Sequence, residues 1–318
     1  MRALVTGAAG FIGSTLCEKL VADGHDVIGV DCFTDYYDVG RKAHNIEHLR
    51  RASGFELVGR DLSCDPVEDL VAGVDTVFHL AGQPGVRLSF GQGFGAYVRH
   101  NITATQRLLE ASSTCELDAF VYASSSSVYG NAATWPTSET APREPISPYG
   151  MTKAATEDLA TVYHRVAGVP AIGLRYFTVY GPRQRPDMAF SRFIDRALAG
   201  RPLAILGDGR QLRDFTYVDD AVAATLAAAR HGRPGAVYNV GGGRPVELRD
   251  VIPVIAEHCG GTVIEHLPAA RGDVRATCAD GTRALSELGI RPQVTLSEGL
   301  RRQIAWTMET AGAAALAA

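Results

Sequence analysis

Short apolar runs alternate with amphipathic stretches through the first two-thirds of the chain. The runs are rich in Val, Ile and Phe and predict strands at ALVT, DVIGVD, FELVG, TVFHLA, AFVYAS and AIGLRYF. Stretches such as STLCEKLVADG and ATQRLLEASS lie between several of them and have the apolar spacing of helices. Strands that are apolar throughout are typical of parallel sheets buried on both faces. The pattern therefore predicts an α/β fold with helices covering both faces of a parallel sheet.

Beyond Tyr176 this regular pattern loosens. Pro, Gly and Arg cluster in YGPRQRP and LGDGRQLRDF, which indicates a loop-rich region over one edge of the sheet. The segments YVDDAVAATLAAA and AVYNVG then predict one more helix and strand that rejoin the first region. We therefore predict a first domain at 1–177, rejoined by about 215–240, and a smaller discontinuous lobe at 178–214 and 241–318.

Composition and charge narrow the class of protein. The chain has 318 residues, of which 46% are hydrophobic and 21% charged, and its net charge of −4 gives no basic surface for nucleic acid or an anionic membrane. No apolar run approaches the ~20 residues of a membrane span. The chain enters a strand directly at MRALVTG, so we expect no secretory leader. Six scattered cysteines form no CxxC pair, which favours buried thiols in a reducing cytoplasm and no metal site.

A glycine-rich segment follows the first strand. VTGAAGFIG places Gly7, Gly10 and Gly13 between a predicted strand and a predicted helix. Small residues let backbone amides approach a pyrophosphate, which the helix N-terminus stabilises. Asp31 ends the second strand, where a carboxylate accepts hydrogen bonds from a ribose 2′-hydroxyl and repels a 2′-phosphate, so NAD is favoured over NADP. The alternative is a tight turn required only for packing.

Tyr149 and Lys153 are four residues apart in SPYGMTK, so on a helix they share one face. An ammonium beside a phenol lowers the phenol pKa, which lets Tyr149 act as a base toward a sugar hydroxyl. A surface Tyr/Lys pair is the alternative interpretation. The preceding glycine motif and the serine-ended strand ASSSSVYG favour the catalytic one.

Several segments together resemble the extended short-chain dehydrogenase/reductase family, whose members are NAD-dependent nucleotide-sugar epimerases and dehydratases. The resemblance spans nearly the whole chain and is carried by TGAAGFIG, HLAGQPGVR, ASSSSVYG, SPYGMTK, RYFTVYGP and RDFTYVDD. It implies a Rossmann domain that binds NAD and a smaller C-terminal α/β lobe that binds the nucleotide-sugar. It also implies a homodimer built from two helices per subunit, here near 96–112 and 149–167.

The resemblance assigns site residues too. It places the catalytic serine at Ser125, three residues before the Val of VYG, in a triad with Tyr149 and Lys153. The implied cofactor contacts are Gly7, Gly10, Phe11, Ile12, Gly13, Asp31, Asp61, Leu62, Leu80, Ala81, Gly82, Asn101, Tyr149, Lys153 and Tyr176. In the family's 4,6-dehydratases an Asp and a Glu follow the catalytic position, and in its UDP-glucuronate decarboxylases the second position is Glu. Here Ser126 and Ser127 stand there, and neither is a useful acid or base, which favours epimerisation.

The sugar is indicated by the segment after RYF. RYFTVYGPRQRPDMAF and DYYDVGRK resemble UDP-glucuronate 4-epimerases, whereas UDP-galactose epimerases usually have Asn where this chain has Thr178. A carboxylate at C6 needs hydroxyl donors and a cation, which Ser126, Ser127, Thr178 and Arg185 would supply. Arg185 is alternatively a solvated loop charge, and Thr178 a small spacer. The resemblance also gives Arg213 and Arg87 as substrate contacts, and Arg271 as a substitute for the family's phosphate-binding Arg, since Ala270 occupies that position.

Three rival functions remain open. They are UDP-glucose/UDP-galactose 4-epimerisation, decarboxylation of UDP-glucuronate, which Ser127 disfavours, and a non-catalytic NAD-binding sensor, which would not need the serine, Tyr149 and Lys153 together. Two tempting sites have simpler interpretations. We expect His79 to be a core histidine, and Asp219 and Asp220 to cap a helix N-terminus.

Overall fold

A computed structural model describes residues 1–261, 263–268 and 274–317 of the chain. The strands are β1 (Arg2–Thr6), β2 (Asp26–Asp31), β3 (Phe55–Gly59), β4 (Thr76–His79), β5 (Ala119–Ser125), β6 (Ala171–Tyr176), β7 (Thr178–Tyr180), β8 (Leu203–Leu206), β9 (Leu212–Tyr217), β10 (Val237–Val240), β11 (Pro245–Glu247) and β12 (Ile264–Leu267). The α-helices are α1 (Phe11–Ala22), α2 (Val39–Asn45), α3 (Glu68–Val71), α4 (Phe94–Tyr97), α5 (Ala104–Ser112), α6 (Pro148–Ala167), α7 (Ala189–Leu198), α8 (Val218–His231), α9 (Leu248–Cys259) and α10 (Leu296–Ala317). A π-helical segment (Val98–Thr103) joins α4 to α5.

Seven strands form one parallel sheet. Its order is β10-β6-β5-β4-β1-β2-β3, so the chain winds outward from β1 to β3 and then returns to continue from β4 on the other side. This is the Rossmann order, and ligands of such sheets bind where the winding reverses, at the carboxyl ends of the strands. The predicted doubly wound parallel sheet is confirmed.

Successive residues of β1 face opposite sides of this sheet. Ala3 and Val5 belong to one large apolar cluster, and Leu4 belongs to another. All three side chains are fully buried, because both faces of the sheet are covered. The run ALVT is therefore apolar throughout instead of alternating with polar residues.

Two small sheets are formed by the segments that follow β6. In the first, β9 pairs in parallel with β7 and antiparallel with β11. In the second, β8 pairs with β12. The chain then rejoins the main sheet at β10, where Tyr238 lies opposite Leu174 of β6. The predicted return of a strand to the first region is confirmed, and the domain boundaries stay a prediction. No helix in the described part of the chain is long and apolar enough to cross a membrane.

His79 is a core histidine, as the sequence analysis expected. Its Nδ1 lies 2.8 Å from the hydroxyl of Thr6, and its Nε2 lies 2.9 Å from the hydroxyl of Thr105. Burial lowers the His79 pKa to about 3. A neutral ring held by two hydroxyls is satisfied within the fold and does not take up a second proton at neutral pH.

The expectation that Asp219 and Asp220 cap a helix is wrong. Both lie in the first turn of α8, but the residue at its N-cap is Tyr217, and no side chain makes a capping bond there. Asp220 instead accepts hydrogen bonds of 3.0 and 3.1 Å from the backbone N–H groups of Gln293 and Val294. The carboxylate therefore anchors the segment before α10 to α8.

Candidate active site

The loop between β1 and α1 leaves no room for side chains at two of its glycines. Gly7 has a φ of +72°, and a Cβ there would lie 2.9 Å from the backbone nitrogen of Ala81. A Cβ at Gly13 would collide with the carbonyl oxygen of Gly7. Gly10 is the N-cap residue of α1, and no side chain caps that helix. The free N–H groups at the start of α1 can therefore receive a phosphate at close range.

Asp31 lies at the end of β2 and is buried. Its carboxylate accepts hydrogen bonds from the backbone N–H groups of Ala9 at 3.1 Å and Phe33 at 2.8 Å. These bonds join the glycine loop to the segment after β2 and hold the carboxylate in place. An ionised carboxylate has further lone pairs, so it can still accept bonds from a ribose hydroxyl.

Most of the predicted cofactor contacts line one cavity above the β1–α1 loop. They are Gly7, Gly10, Phe11, Ile12, Gly13, Asp31, Asp61, Leu62, Leu80, Ala81, Gly82 and Tyr176. Asn101 lies outside it. The Asn101 Oδ1 accepts a 2.7 Å bond from the backbone N–H of Gln83, and its Nδ2 donates to the hydroxyl of Thr152 at 3.0 Å. In this structure Asn101 therefore supports the loop after β4.

A second cavity of about 850 Å³ adjoins the first and falls in the range typical of ligand sites. It contains the predicted catalytic and substrate residues Arg87, Ser125, Ser126, Ser127, Tyr149, Lys153, Thr178, Arg185 and Arg213. Tyr36, Tyr176 and Arg185 line both cavities, so the two spaces meet beside them. Arg271 lies outside the described residues.

Local sequence explains how Tyr149 and Lys153 reach this second cavity. Ser147 is the N-cap of α6, and its hydroxyl accepts a 3.1 Å bond from the backbone N–H of Gly150. Pro148 occupies the first helical position, where its fixed φ is favourable. Tyr149 therefore lies in the first turn of α6, and Lys153 lies one turn later on the same face.

Ser125, the last residue of β5, faces these two side chains. It is buried, and its hydroxyl accepts a 3.1 Å bond from the backbone N–H of Ser127. It also hydrogen-bonds Tyr149. The Lys153 ammonium donates a 2.8 Å bond to the carbonyl of Ala123, also on β5. The end of one strand and the start of one helix thus bring the predicted triad together.

The charges around Tyr149 differ from expectation in one respect. Burial raises the Tyr149 pKa, and the hydrogen bond from Ser125 and the charge of Arg185 act against that rise. Lys153, expected to be the cation that lowers the Tyr149 pKa, has its own pKa lowered to about 8 by burial. The Arg185 charge favours the Tyr149 phenolate, and Lys153 with this pKa stays protonated at neutral pH.

Of the four consecutive serines, Ser124 is structural. Its hydroxyl donates to the carboxylate of Glu157, which lies one turn beyond Lys153 on α6. Arg175 of β6 holds the same carboxylate through bonds of 2.8 and 2.7 Å. This buried cluster fixes α6 against β5 and β6. Ser125, Ser126 and Ser127 are the serines that line the second cavity.

Several residues of the site were not predicted from the sequence. Tyr36 and Asp187 line the second cavity, and the Tyr97 ring packs edge-on against the Tyr149 ring with centroids 6.1 Å apart. Arg192 also lines this cavity, and burial together with the nearby charge of Arg87 lowers the Arg192 pKa. Tyr36 belongs to DYYDVGRK, which the sequence analysis used only as a family resemblance. No local sequence pattern indicated a role for Asp187.

One group of possible metal ligands lies at the edge of the first cavity. The ligand atoms of Cys32, Asp61 and His100 are within 4.8 Å of one another. Asp61 already accepts bonds from the backbone N–H and hydroxyl of Ser63 and pairs with His100. Burial raises the Cys32 pKa, which disfavours the thiolate that a metal needs.

The sequence matches the model of the NAD dependent epimerase/dehydratase family over residues 3–241. The chain belongs to this family. The prediction of an extended short-chain dehydrogenase/reductase, a Rossmann fold and NAD as the cofactor is confirmed.

Individual relatives of this epimerase/dehydratase match nearly the whole chain. An uncharacterized UDP-glucose epimerase of Bacillus subtilis is 43% identical over 96% of this chain and 98% of its own length. The crystal structure of a UDP-glucuronic acid 4-epimerase from Bacillus cereus with UDP-glucuronic acid and NAD is 42% identical, with a TM-score of 0.94 over 98% of this chain and 100% of that one. MoeE5, solved with NAD and either UDP-glucuronic acid or UDP-glucose, is 42% identical over the same shares, with TM-scores of 0.88 and 0.87.

The residues of the first cavity fit NAD. The glycine loop excludes Cβ atoms where a pyrophosphate approaches, and Asp31 is placed for the adenosine ribose. Tyr176 lines both cavities, and Lys153 lines the second. When bound, NAD supplies a hydride acceptor that becomes a hydride donor. Tyr149, Lys153 and Ser125, the predicted catalytic residues, line the adjoining second cavity.

Proposed function

We propose that this protein is a UDP-sugar 4-epimerase that converts UDP-glucuronate to UDP-galacturonate. The observation that carries the proposal is the set of side chains beside Tyr149: the hydroxyls of Ser126, Ser127 and Thr178, and Arg185. Among the described residues that line this cavity, Asp187 is the only carboxylate, and it is paired with Arg185. A site that eliminates water or removes a C5 proton would need a free acid or base there.

The placement of the triad supports the following reaction. Tyr149, as phenolate, takes the proton of the C4 hydroxyl while the C4 hydride leaves to the cofactor. Ser125 hydrogen-bonds the same oxygen, and Lys153 holds the nicotinamide ribose. The resulting 4-keto sugar rotates while its UDP stays bound near Arg87 and Arg213. Return of the hydride to the opposite face, with a proton from Tyr149, inverts C4.

An acid sugar poses a particular problem in this sequence. Its 4-keto form is a β-keto acid, which loses carbon dioxide when the C5–C6 bond aligns with the carbonyl π system. Hydroxyls and a guanidinium that bind the carboxylate would hold this bond out of alignment without adding an acid. A complex in which C6 points away from Ser127, Thr178 and Arg185 would refute this role.

UDP-glucose is the second candidate substrate. It is favoured by the Bacillus subtilis relative, named a UDP-glucose epimerase, and by MoeE5, which was solved with UDP-glucose as well as with UDP-glucuronic acid. A neutral sugar would leave the Arg185 guanidinium without a carboxylate partner from the substrate. The acid sugar therefore makes fuller use of the cavity.

Incubation with UDP-glucuronate, UDP-glucose and dTDP-glucose, followed by NMR of the products, tests the proposal. We expect UDP-galacturonate from UDP-glucuronate with its C6 carboxylate retained, and slower or no turnover of the other two. A UDP-pentose product would show decarboxylation instead of epimerisation. Preferential formation of UDP-galactose would show that the neutral sugar is the substrate. NAD that copurifies without turnover of any of the three would favour a sensor.

We also propose a homodimer in the cytoplasm. The predicted contact helices lie near 96–112 and 149–167. The second of them falls within α6, which carries the exposed apolar side chains Met151, Val162 and Val166. Burial of such a patch against a second copy would remove it from water. Light scattering of the purified protein should give twice the chain mass, and a monomer at all concentrations would refute the dimer.

A further inference from the structure

Arg185 and Asp187 form a two-bond ion pair where the two cavities meet. The Arg185 Nε lies 3.0 Å from Oδ1 of Asp187, and one terminal nitrogen lies 3.1 Å from Oδ2. Pro186 separates them and restricts the backbone between them. The Arg185 side chain is 19% exposed and the Asp187 side chain 36%, so the pair is partly shielded from water on its arginine side. Such paired bonds fix the plane of the guanidinium as well as its position.

Asp187 binds one edge of the Arg185 guanidinium and so determines which edge remains available to a second carboxylate. Asp187 uses the side edge, made of Nε and one terminal nitrogen. A guanidinium has five N–H groups, so the end edge between its two terminal nitrogens can still bind a second carboxylate with two bonds. Arg185 lines the cavity that contains Tyr149, Ser127 and Thr178.

Tyr36 holds Asp187 from the cofactor side. Its hydroxyl donates a 3.2 Å bond to Oδ2 of Asp187, and its ring lies 6.0 Å from the Arg185 guanidinium. Gly85 has a φ of +95°, and a Cβ there would collide with the Tyr36 hydroxyl. The segment after β2 therefore reaches across the cavities and contacts the pair that lies beyond β7.

Resting on the proposed function, we propose that Asp187 is a positioning residue that determines the preference for an acid sugar. Asp187, itself held by Tyr36, keeps the side edge of Arg185 occupied, so that the end edge stays available to the C6 carboxylate. Without Asp187 the guanidinium is free to turn, and the acid sugar loses a preorganised partner. A neutral sugar loses little, because it makes no ion pair with Arg185.

The test compares Asp187→Asn with the wild type in binding and in turnover. Calorimetric Kd values for UDP-glucuronate and UDP-glucose, on protein saturated with NAD, give the preference without requiring catalysis. We expect Asp187→Asn to weaken binding of UDP-glucuronate by about tenfold and of UDP-glucose by less than about threefold, since a charge-assisted bond is lost only with the acid. In turnover the loss should appear in KM more than in kcat. Tyr36→Phe should act in the same direction by about threefold.

Asp35→Asn is the matched control. It removes a carboxylate from the exposed residue next to Tyr36, and neither Kd should change. Equal weakening of both sugars by Asp187→Asn and Tyr36→Phe, or no weakening of the acid sugar, would overturn the inference. Failure of the wild type to epimerise any UDP-sugar would refute the proposed function alone, since the two Kd values still decide the role of Asp187. If Asp187→Asn unfolds, the Tyr36→Phe values decide.

Discussion

Replacing Tyr149 by Phe removes one hydroxyl and keeps the ring. The edge-on contact with Tyr97 at 6.1 Å is retained, and the group lost from the fold is one hydrogen bond with Ser125. That bond contributes about 1 kcal/mol, so the free energy of unfolding should fall by no more than this amount. Loss of the general base should lower kcat by about 10² to 10⁴, equivalent to about 3–5 kcal/mol in the barrier.

NMR of the UDP-sugar product measures the rate, and urea unfolding measures the stability. Bound NAD should be retained, because the cofactor loop is untouched. Tyr163→Phe is the control, since it makes the same change on α6 at a hydroxyl that contacts Gln106 and Glu110 away from both cavities. Turnover by Tyr149→Phe at the wild-type rate would refute the assignment of the base. A loss of stability as large as the loss in barrier would mean that the hydroxyl is structural.

Three further predictions concern the same site and the core beneath it. Ser125→Ala removes a bond that lowers the Tyr149 pKa, so the acidic limb of the kcat/KM pH profile should move to higher pH; an unmoved limb would contradict the pairing. Gly13→Ala should expel the Gly7 carbonyl from its place and weaken NAD binding by at least about tenfold, measured by calorimetry, whereas Gly95→Ala, which meets no neighbour, should not. The His79 pKa is lowered to about 3 in the folded protein, whereas an unfolded histidine has a pKa of about 6.5. As pH falls below about 6.5 the unfolded chain binds a proton at His79 and the folded protein does not, so the free energy of unfolding decreases. Between about pH 7 and pH 5 this residue should lower the free energy of unfolding, measured with urea, by about 2 kcal/mol. His79→Gln should reduce this dependence of stability on pH, and an unchanged dependence would exclude His79 as its cause.

The main sheet was predictable because most of its strands are buried on both faces. Runs such as ALVT and AFVYAS contain little but apolar residues, and the observed β1 and β5 follow them. The small strands after β6 left a weaker pattern. β11, for example, has three residues of intermediate burial, so no continuous apolar run marks it.

The site was predictable where its residues are local in sequence. The glycine loop belongs to one strand–helix segment, and the Tyr149–Lys153 pair belongs to one helix. The contact between Tyr36 and Asp187 joins residues 151 positions apart, and no local spacing encodes it. The Arg185 charge acts on Tyr149 from beyond β7, and no local spacing encodes that proximity either.

The position of β10 at the rim of the seven-stranded sheet has a consequence for biosynthesis. A chain emerging from a ribosome completes the glycine loop early, yet β6 stays without its outer neighbour until α7, α8 and three further strands have been made. During that interval the bare rim of β6 offers unpaired N–H and C=O groups to any other nascent copy. A fragment that stops at residue 177 should therefore self-associate even though it carries the whole nucleotide loop.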